Sequence, residues 1–174
     1  GRLTGADSGP GRLPEPAQIA EVVRTELAGY RVEHRWKGKK VVISAGGTRE
    51  ELDPVRYLGN RSSGRQGFAL AEWACQMGAD VTIVAGNTAS LPVPSGAKVR
   101  SIISTRELEQ AMREEARDAD VVIMAAAVSD FRPAEVAESK MKKGQADDAL
   151  STLHLVENPD VLKGLVAARD RAEL

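Results

Sequence analysis

The sequence predicts an α/β fold: a parallel sheet covered by helices on both faces. Three apolar runs rich in β-branched residues carry that reading, at Val41–Ala45, Val81–Ala85 and Val121–Ala125. The first two close on glycine, and amphipathic helical patterns lie between the runs. Continuous apolar runs of this length suit strands buried on both faces. Strands that alternate with helices call for parallel pairing, because the crossover helix brings the chain back to the same edge.

Residues 1–16 are dense in Gly and Pro and read as loop. Ile19, Val22, Val23 and Leu27 then recur at helical spacing, with Gly29 as a stop. Residues 30–39 are basic and aperiodic, and read as a solvated linker rather than a nucleic-acid patch. The first strand, Val41–Ala45, runs into a turn at Gly46-Gly47, and a long polar crossover follows to residue 67. Phe68, Ala71, Cys75 and Met77 mark a helix over 65–77. Val81–Ala85 is the second strand, closed by Gly86-Asn87. Ser104 and Glu107 form a capping box, and Leu108, Ala111, Met112 and Ala116 give the face of the helix behind it. Val121–Ala125 is a third, fully apolar strand, and Leu153–Val156 a short fourth. Asn158-Pro159-Asp160 opens a last helix, with Asn158 as cap and Leu162, Leu165 and Val166 as its face. The sum is a three-layer, Rossmann-like parallel sheet with helices on both faces.

Composition narrows the function. At 174 residues there is room for one domain and a tail. Lys+Arg is 24 against Asp+Glu 25, so no bulk charge draws the chain to a nucleic-acid backbone or an anionic membrane. Aromatics are 3%, too few for a base-stacking platform. Cys75 is the one cysteine, so an internal disulfide is excluded, and His34 and His154 lack metal-ligand spacing. The longest apolar run is far short of the ~20 residues that span a bilayer. With no leader core and no initiating Met, the chain reads as cytoplasmic and as cut from a longer protein.

In open α/β sheets ligands bind beyond the carboxyl ends of the strands. Three such ends carry unusual chemistry. Gly46-Gly47-Thr48 lets the backbone approach a ligand and turn its amides toward an anion. By itself this is an ordinary tight turn. Asn60 and Ser62-Ser63-Gly64 continue the same loop into a helix N-terminus, a ready anion site. Asp130 follows the third strand, where an acid holds a ribose hydroxyl or a metal ion. Lys140, Lys142 and Lys143 with Gly144 make a cationic segment suited to a polyphosphate or simply to solvent. No GxGxxG follows the first strand, and no acid ends the second. Both absences count against a dinucleotide oxidoreductase.

Together these stretches resemble the phosphopantothenate–cysteine ligase family. The likeness rests on AGGTREELDPVRYLGNRSSGRQGFALA, AAAVSDFRPAEVAESKMKKG and VENPDVL, and runs from about Lys40 to the chain end. In bacteria this domain is usually the C-terminal half of a bifunctional coenzyme A biosynthesis protein. LTGADSGPGRLPEP is similar to the substrate clamp of the preceding decarboxylase domain, although it lacks the cysteine many relatives carry and has Gly5 near that position. The resemblance implies a decarboxylase-like tail over 1–29, a linker over 30–39 and a ligase domain over 40–174. Further strands are expected past Leu174. Ser129, Met141 and Glu51 stand where the family has Ala, Ile and Pro, and none of these removes a needed group.

The resemblance further implies the joining of 4′-phosphopantothenate to L-cysteine through an acyl-cytidylate, with CTP as co-substrate and Mg²⁺ on its phosphates. FMN would serve only the upstream decarboxylase domain. Asn60 would bind the acyl-cytidylate and Lys140 the phosphates, as the catalytic pair. Asp130 would meet the nucleotide or its metal. Met124, Ala125, Ala126 and Phe131 would line the nucleotide site, and Asn158, Pro159, Asp160 and Val161 would form a further contacting turn. Gly46, Gly47, Thr48, Ser62, Ser63 and Gly64 suit phosphates on the grounds above. A homodimer of the domain is expected, and a higher oligomer when it is fused to the decarboxylase. The alternative is a non-catalytic nucleotide-binding or assembly domain.

Overall fold

The computed structural model describes residues 35–141 and 152–170, together with Pro16, Ile19, Ala20 and Val23. The chain divides into two compact units, Gly1–Arg35 and Trp36–Leu174. Of the helix expected near 17–28, only Ile19, Ala20 and Val23 are described, and all three are helical. The clamp-like stretch over residues 3–16 lies outside the described residues, apart from Pro16.

Among the described residues, the second unit is built on four parallel strands. β1 (Lys40–Gly46) pairs with β4 (Asp80–Gly86) on one side and with β6 (Val121–Met124) on the other. β5 (Ala97–Ile102) lies outside β4, so the order is β5-β4-β1-β6. Alternate residues of β1 serve two cores. Val41, Ile43 and Ala45 pack with Phe68, Ala71 and Ala74 of α1 (Arg65–Gln76). On the opposite face Val42 packs with Leu108, Ala111 and Met112 of α2 (Thr105–Ala116) and with Val161 and Leu165 of α3 (Val161–Asp170). Two buried faces explain why these strands read as unbroken apolar runs. Trp36, within the stretch read as linker, belongs to the second unit, packing on the α1 core and donating its N–H to Met77 O at 3.0 Å.

Four expectations need correction. The crossover after β1 is not a bare loop: β2 (Arg49–Asp53) and β3 (Arg56–Gly59) form an antiparallel hairpin. β5 was not anticipated, because its sequence alternates Ala97, Val99 and Ser101 with Lys98 and Arg100 and looks like polar linker. β6 is apolar yet only partly buried, with Val122 38% exposed, because it is the outermost of the four described strands. The fourth strand, β8 (Leu155–Glu157), stays out of the parallel sheet and pairs antiparallel with β7 (Phe131–Pro133).

Helix ends follow local chemistry. Ser104 caps α2 by accepting from Glu107 N at 3.2 Å, and Glu107 reaches back to Ile103 N at 2.8 Å. α3 is capped by Asp160, whose Oδ1 accepts from Lys163 N at 2.9 Å, and not by Asn158. Its buried face is Val161, Leu165 and Ala168, while Leu162 and Val166 are half exposed. Leu165 alone of the expected face points inward.

Candidate nucleotide site

The carboxyl end of β1 is a crowded crossing of backbones. Gly46 has φ 81°, and a Cβ there would lie 1.8 Å from Gly86 O, so only glycine fits. The amides expected to face an anion are used within the protein: Gly47 N donates to Gly86 O at 3.1 Å and Thr48 N to Ala127 O at 3.2 Å. Gly46-Gly47-Thr48 therefore serves as a close-packed junction, and the anion cradle expected there is not formed. Thr48 is itself 1% exposed.

The exit of β6 is held from below. Ser44, fully buried in β1, accepts from Ala125 N and Ala126 N, both at 3.1 Å. Ala127 N donates to Gly46 O at 2.8 Å. Asn60 Nδ2 donates to Val128 O at 3.0 Å, which brings the loop after the hairpin onto the same turn. Ser129 N donates to Thr48 Oγ1 at 2.9 Å. Asn158 closes the far side, donating Nδ2 to Ser129 O at 2.9 Å and its backbone N–H to Asp130 O at 2.7 Å. Arg132 steadies Asn158 through a 3.1 Å bond to Oδ1.

This scaffold lines a cavity of about 600 Å³. Met124, Ala126, Asp130, Phe131, Asn158, Pro159, Asp160 and Val161 all border it, and each was picked out in the sequence. The two segments come from either side of β7–β8. Asp130 and Phe131 are exposed to the opening, while Ala125 is tied to Ser44 and does not line it. Three carboxylates face the space, on Asp130, Glu157 and Asp160. No group of three or more His, Cys, Asp or Glu that could cage a metal occurs among the described residues.

The other candidates stand apart from the cavity. Ser62 and Ser63 do not cap α1; Gly64 does, at φ 77° and without a side-chain bond. The nearest hydroxyl, Ser63 Oγ, is 3.5 Å from Arg65 N. With no acid in its first turn and no side-chain cap bond, α1 presents a positive end. Asn60 bridges this turn to the cavity through Val128. Lys140 is exposed and does not line the cavity, and Lys142, Lys143 and Gly144 lie outside the described residues.

Sequence reasoning missed several supporting groups. Ser44 was visible as a polar break in an apolar strand, and Glu50 as an acid beside a turn. Asp53 is buried and accepts from Val55 N at 2.9 Å, Arg56 Nε at 2.9 Å, Arg56 Nη2 and Met141 N at 3.2 Å. Arg56 also donates to Met141 O at 2.8 Å. The Arg56 guanidinium holds the Asp53 carboxyl down at about 2, against an ordinary 3.8, outweighing the opposing effect of burial.

Residues 36–174 match the family described as the DNA/pantothenate metabolism flavoprotein C-terminal domain. The coenzyme A biosynthesis bifunctional protein CoaBC of Mycolicibacterium smegmatis is 51% identical over 175 residues, covering 100% of this chain and 42% of that protein. The chain thus spans about two fifths of the length of the curated relatives it matches. Among solved structures, the C-terminal domain of a coenzyme A biosynthesis bifunctional protein CoaBC aligns with a TM-score of 0.65 and 36% identity, over 76% of this chain and 60% of that one. A Cab2 mutant in complex with phosphopantothenate-cysteine shares the fold, with a TM-score of 0.61 at 19% identity over 88% of this chain and 68% of that one.

Proposed function

Because the chain belongs to the family of DNA/pantothenate metabolism flavoprotein C-terminal domains, we propose that it provides the nucleotide-activation site of a phosphopantothenate–cysteine ligase in coenzyme A biosynthesis. One observation carries the reading: eight residues from two separate segments, expected to meet a nucleotide, line one cavity at the carboxyl end of β6. The CoaBC names of the relatives and the ligand of the Cab2 complex supply the substrate class.

In this reading the carboxylate of 4′-phosphopantothenate attacks the α-phosphorus of CTP, and pyrophosphate leaves. The amine of L-cysteine then attacks the acyl carbon. CMP departs with the bonding pair, and the ammonium proton is lost to solvent. A free carboxylate is a poor acyl donor, and the cytidylate supplies the leaving group. The positive end of α1 beside Ser62-Ser63-Gly64 takes the phosphate of phosphopantothenate. Asn60, fixed on Val128, presents its amide to the acyl-cytidylate. Lys140, one residue from the Met141 backbone that Asp53 and Arg56 anchor, is assigned to the phosphates on charge alone.

Mg²⁺ fits a site of this kind, since it takes one or two carboxylates and keeps the remainder for water and phosphate. Asp130 is the residue we assign to it, because Asp160 is engaged as a helix cap. When bound, the ion neutralises charge on the phosphates. FMN serves a decarboxylase domain in this scheme and has no part in the ligase step. Calorimetric titration of CTP and ATP with Mg²⁺ tests the reading. CTP should bind with saturable heat and ATP more weakly, and the absence of any CTP heat overturns it.

A further inference from the structure

Glu50 is a buried carboxylate that the proposed chemistry does not use. It is 4% exposed and sits on β2, facing the first turn of α2. Its Oε1 accepts from Thr105 N at 2.9 Å and from Thr105 Oγ1 at 2.7 Å. The positive end of α2 explains how a charge is tolerated there. It does not explain where the remaining bonds lead.

Thr105 has one hydroxyl proton, and the shorter contact to the stronger acceptor places it on Glu50. Thr105 Oγ1 then accepts the proton of Thr48, 3.2 Å away. Thr48 Oγ1 accepts in turn from Ser129 N at 2.9 Å. The chain therefore has one sense, from the Ser129 amide through Thr48 and Thr105 to a carboxylate. Bonds aligned in series and ending on a charge strengthen one another. The amide at its start opens the turn that carries Asp130. The carbonyl of Ser129 accepts from Asn158 Nδ2 at 2.9 Å and lies 3.4 Å from Thr105 Oγ1, too far to compete with Glu50 for the Thr105 proton.

Resting on the ligase reading above, we infer that Glu50, Thr105 and Thr48 are positioning residues for the nucleotide cavity, fixing the Ser129–Asp130 turn in the orientation that receives CTP. The three touch no ligand. Thr48 thereby changes role, from the direct phosphate contact expected of it to a buried support.

Two measurements on the same variants test this. Thr48→Val keeps the shape and removes the hydroxyl, whereas Thr48→Ser keeps the hydroxyl. Without nucleotide, hydrogen exchange at the Ser129 amide should quicken in Thr48→Val and return to the wild-type rate in Thr48→Ser. Glu50→Gln, which keeps the acceptor and removes the charge, should quicken it less. In CTP titrations Thr48→Val should weaken binding about tenfold, the weight of one lost hydrogen bond, and Thr48→Ser should restore it. Unchanged Ser129 protection in both Thr48→Val and Glu50→Gln overturns the inference, whatever the nucleotide does. So does wild-type CTP affinity in Thr48→Val. A wild-type chain that ignores CTP but shows the exchange pattern overturns the ligase reading and leaves the support of the turn standing.

Discussion

Asn60 illustrates how a side chain acquires a role from its surroundings. Alone it is an exposed amide in a loop. Its Nδ2 bond to Val128 O fixes which end of the amide faces the protein, leaving Oδ1 for a ligand. Asn60→Asp removes that donor and sets two negative oxygens against a carbonyl, beside a site for phosphates. In the ligase assay, pyrophosphate release should survive while phosphopantothenoylcysteine formation falls at least tenfold; undiminished product would remove Asn60 from the second step. The amide was legible in the sequence because a long polar crossover rarely persists without function. Its tether was not, because Val128 lies 68 residues away. The turn glycines show the opposite failure. Gly46 and Gly47 advertise close backbone approach, and the sequence cannot say that the approaching backbone belongs to Gly86.

The elements were legible where one physical signal dominated. Strands β1 and β4 and helices α1 and α2 lie within a residue or two of their expected bounds, because apolar runs and a capping box mark them. The hairpin β2–β3 was missed because its faces do not alternate apolar and polar. Glu50 and Asp53 are buried there as carboxylates, which no hydropathy pattern predicts. In α3 the periodicity was right and the phase wrong. Leu165 is 5% exposed against α2 while Leu162 is 54% exposed. Leu165→Ala should therefore cost about 2–4 kcal/mol through lost transfer energy and a residual cavity. Leu162→Ala should stay within about 0.5 kcal/mol. Paired urea denaturation curves would show the contrast, and equal losses would restore the face read from sequence.

Across the second unit, Asp53 and Arg56 tie the hairpin to the Met141 backbone, 88 residues from Asp53. Because the Asp53 carboxyl is held near 2 rather than its ordinary 3.8, folding gains stability from it only while it is ionised. That gain is complete above about pH 4 and is lost as pH falls toward 2. Arg56→Gln should remove that part of the acid sensitivity, and thermal melts of both proteins between pH 2 and 5 would reveal the difference. The sheet as a whole has two unlike borders. β5 carries Lys98, paired with Asp80 at 3.1 Å, and Arg100, paired with Glu114 at 2.6 Å. β6 carries only Val121, Val122, Ile123 and Met124. Charged side chains on an outer strand act as gatekeepers against a second sheet adding itself. One border of the described sheet thus carries charge, while β6 carries none and runs straight into the turn that shapes the nucleotide cavity. The four strands are therefore electrically lopsided: ionic partners gather at β5, and the cavity opens where the strand beneath it brings no charge of its own.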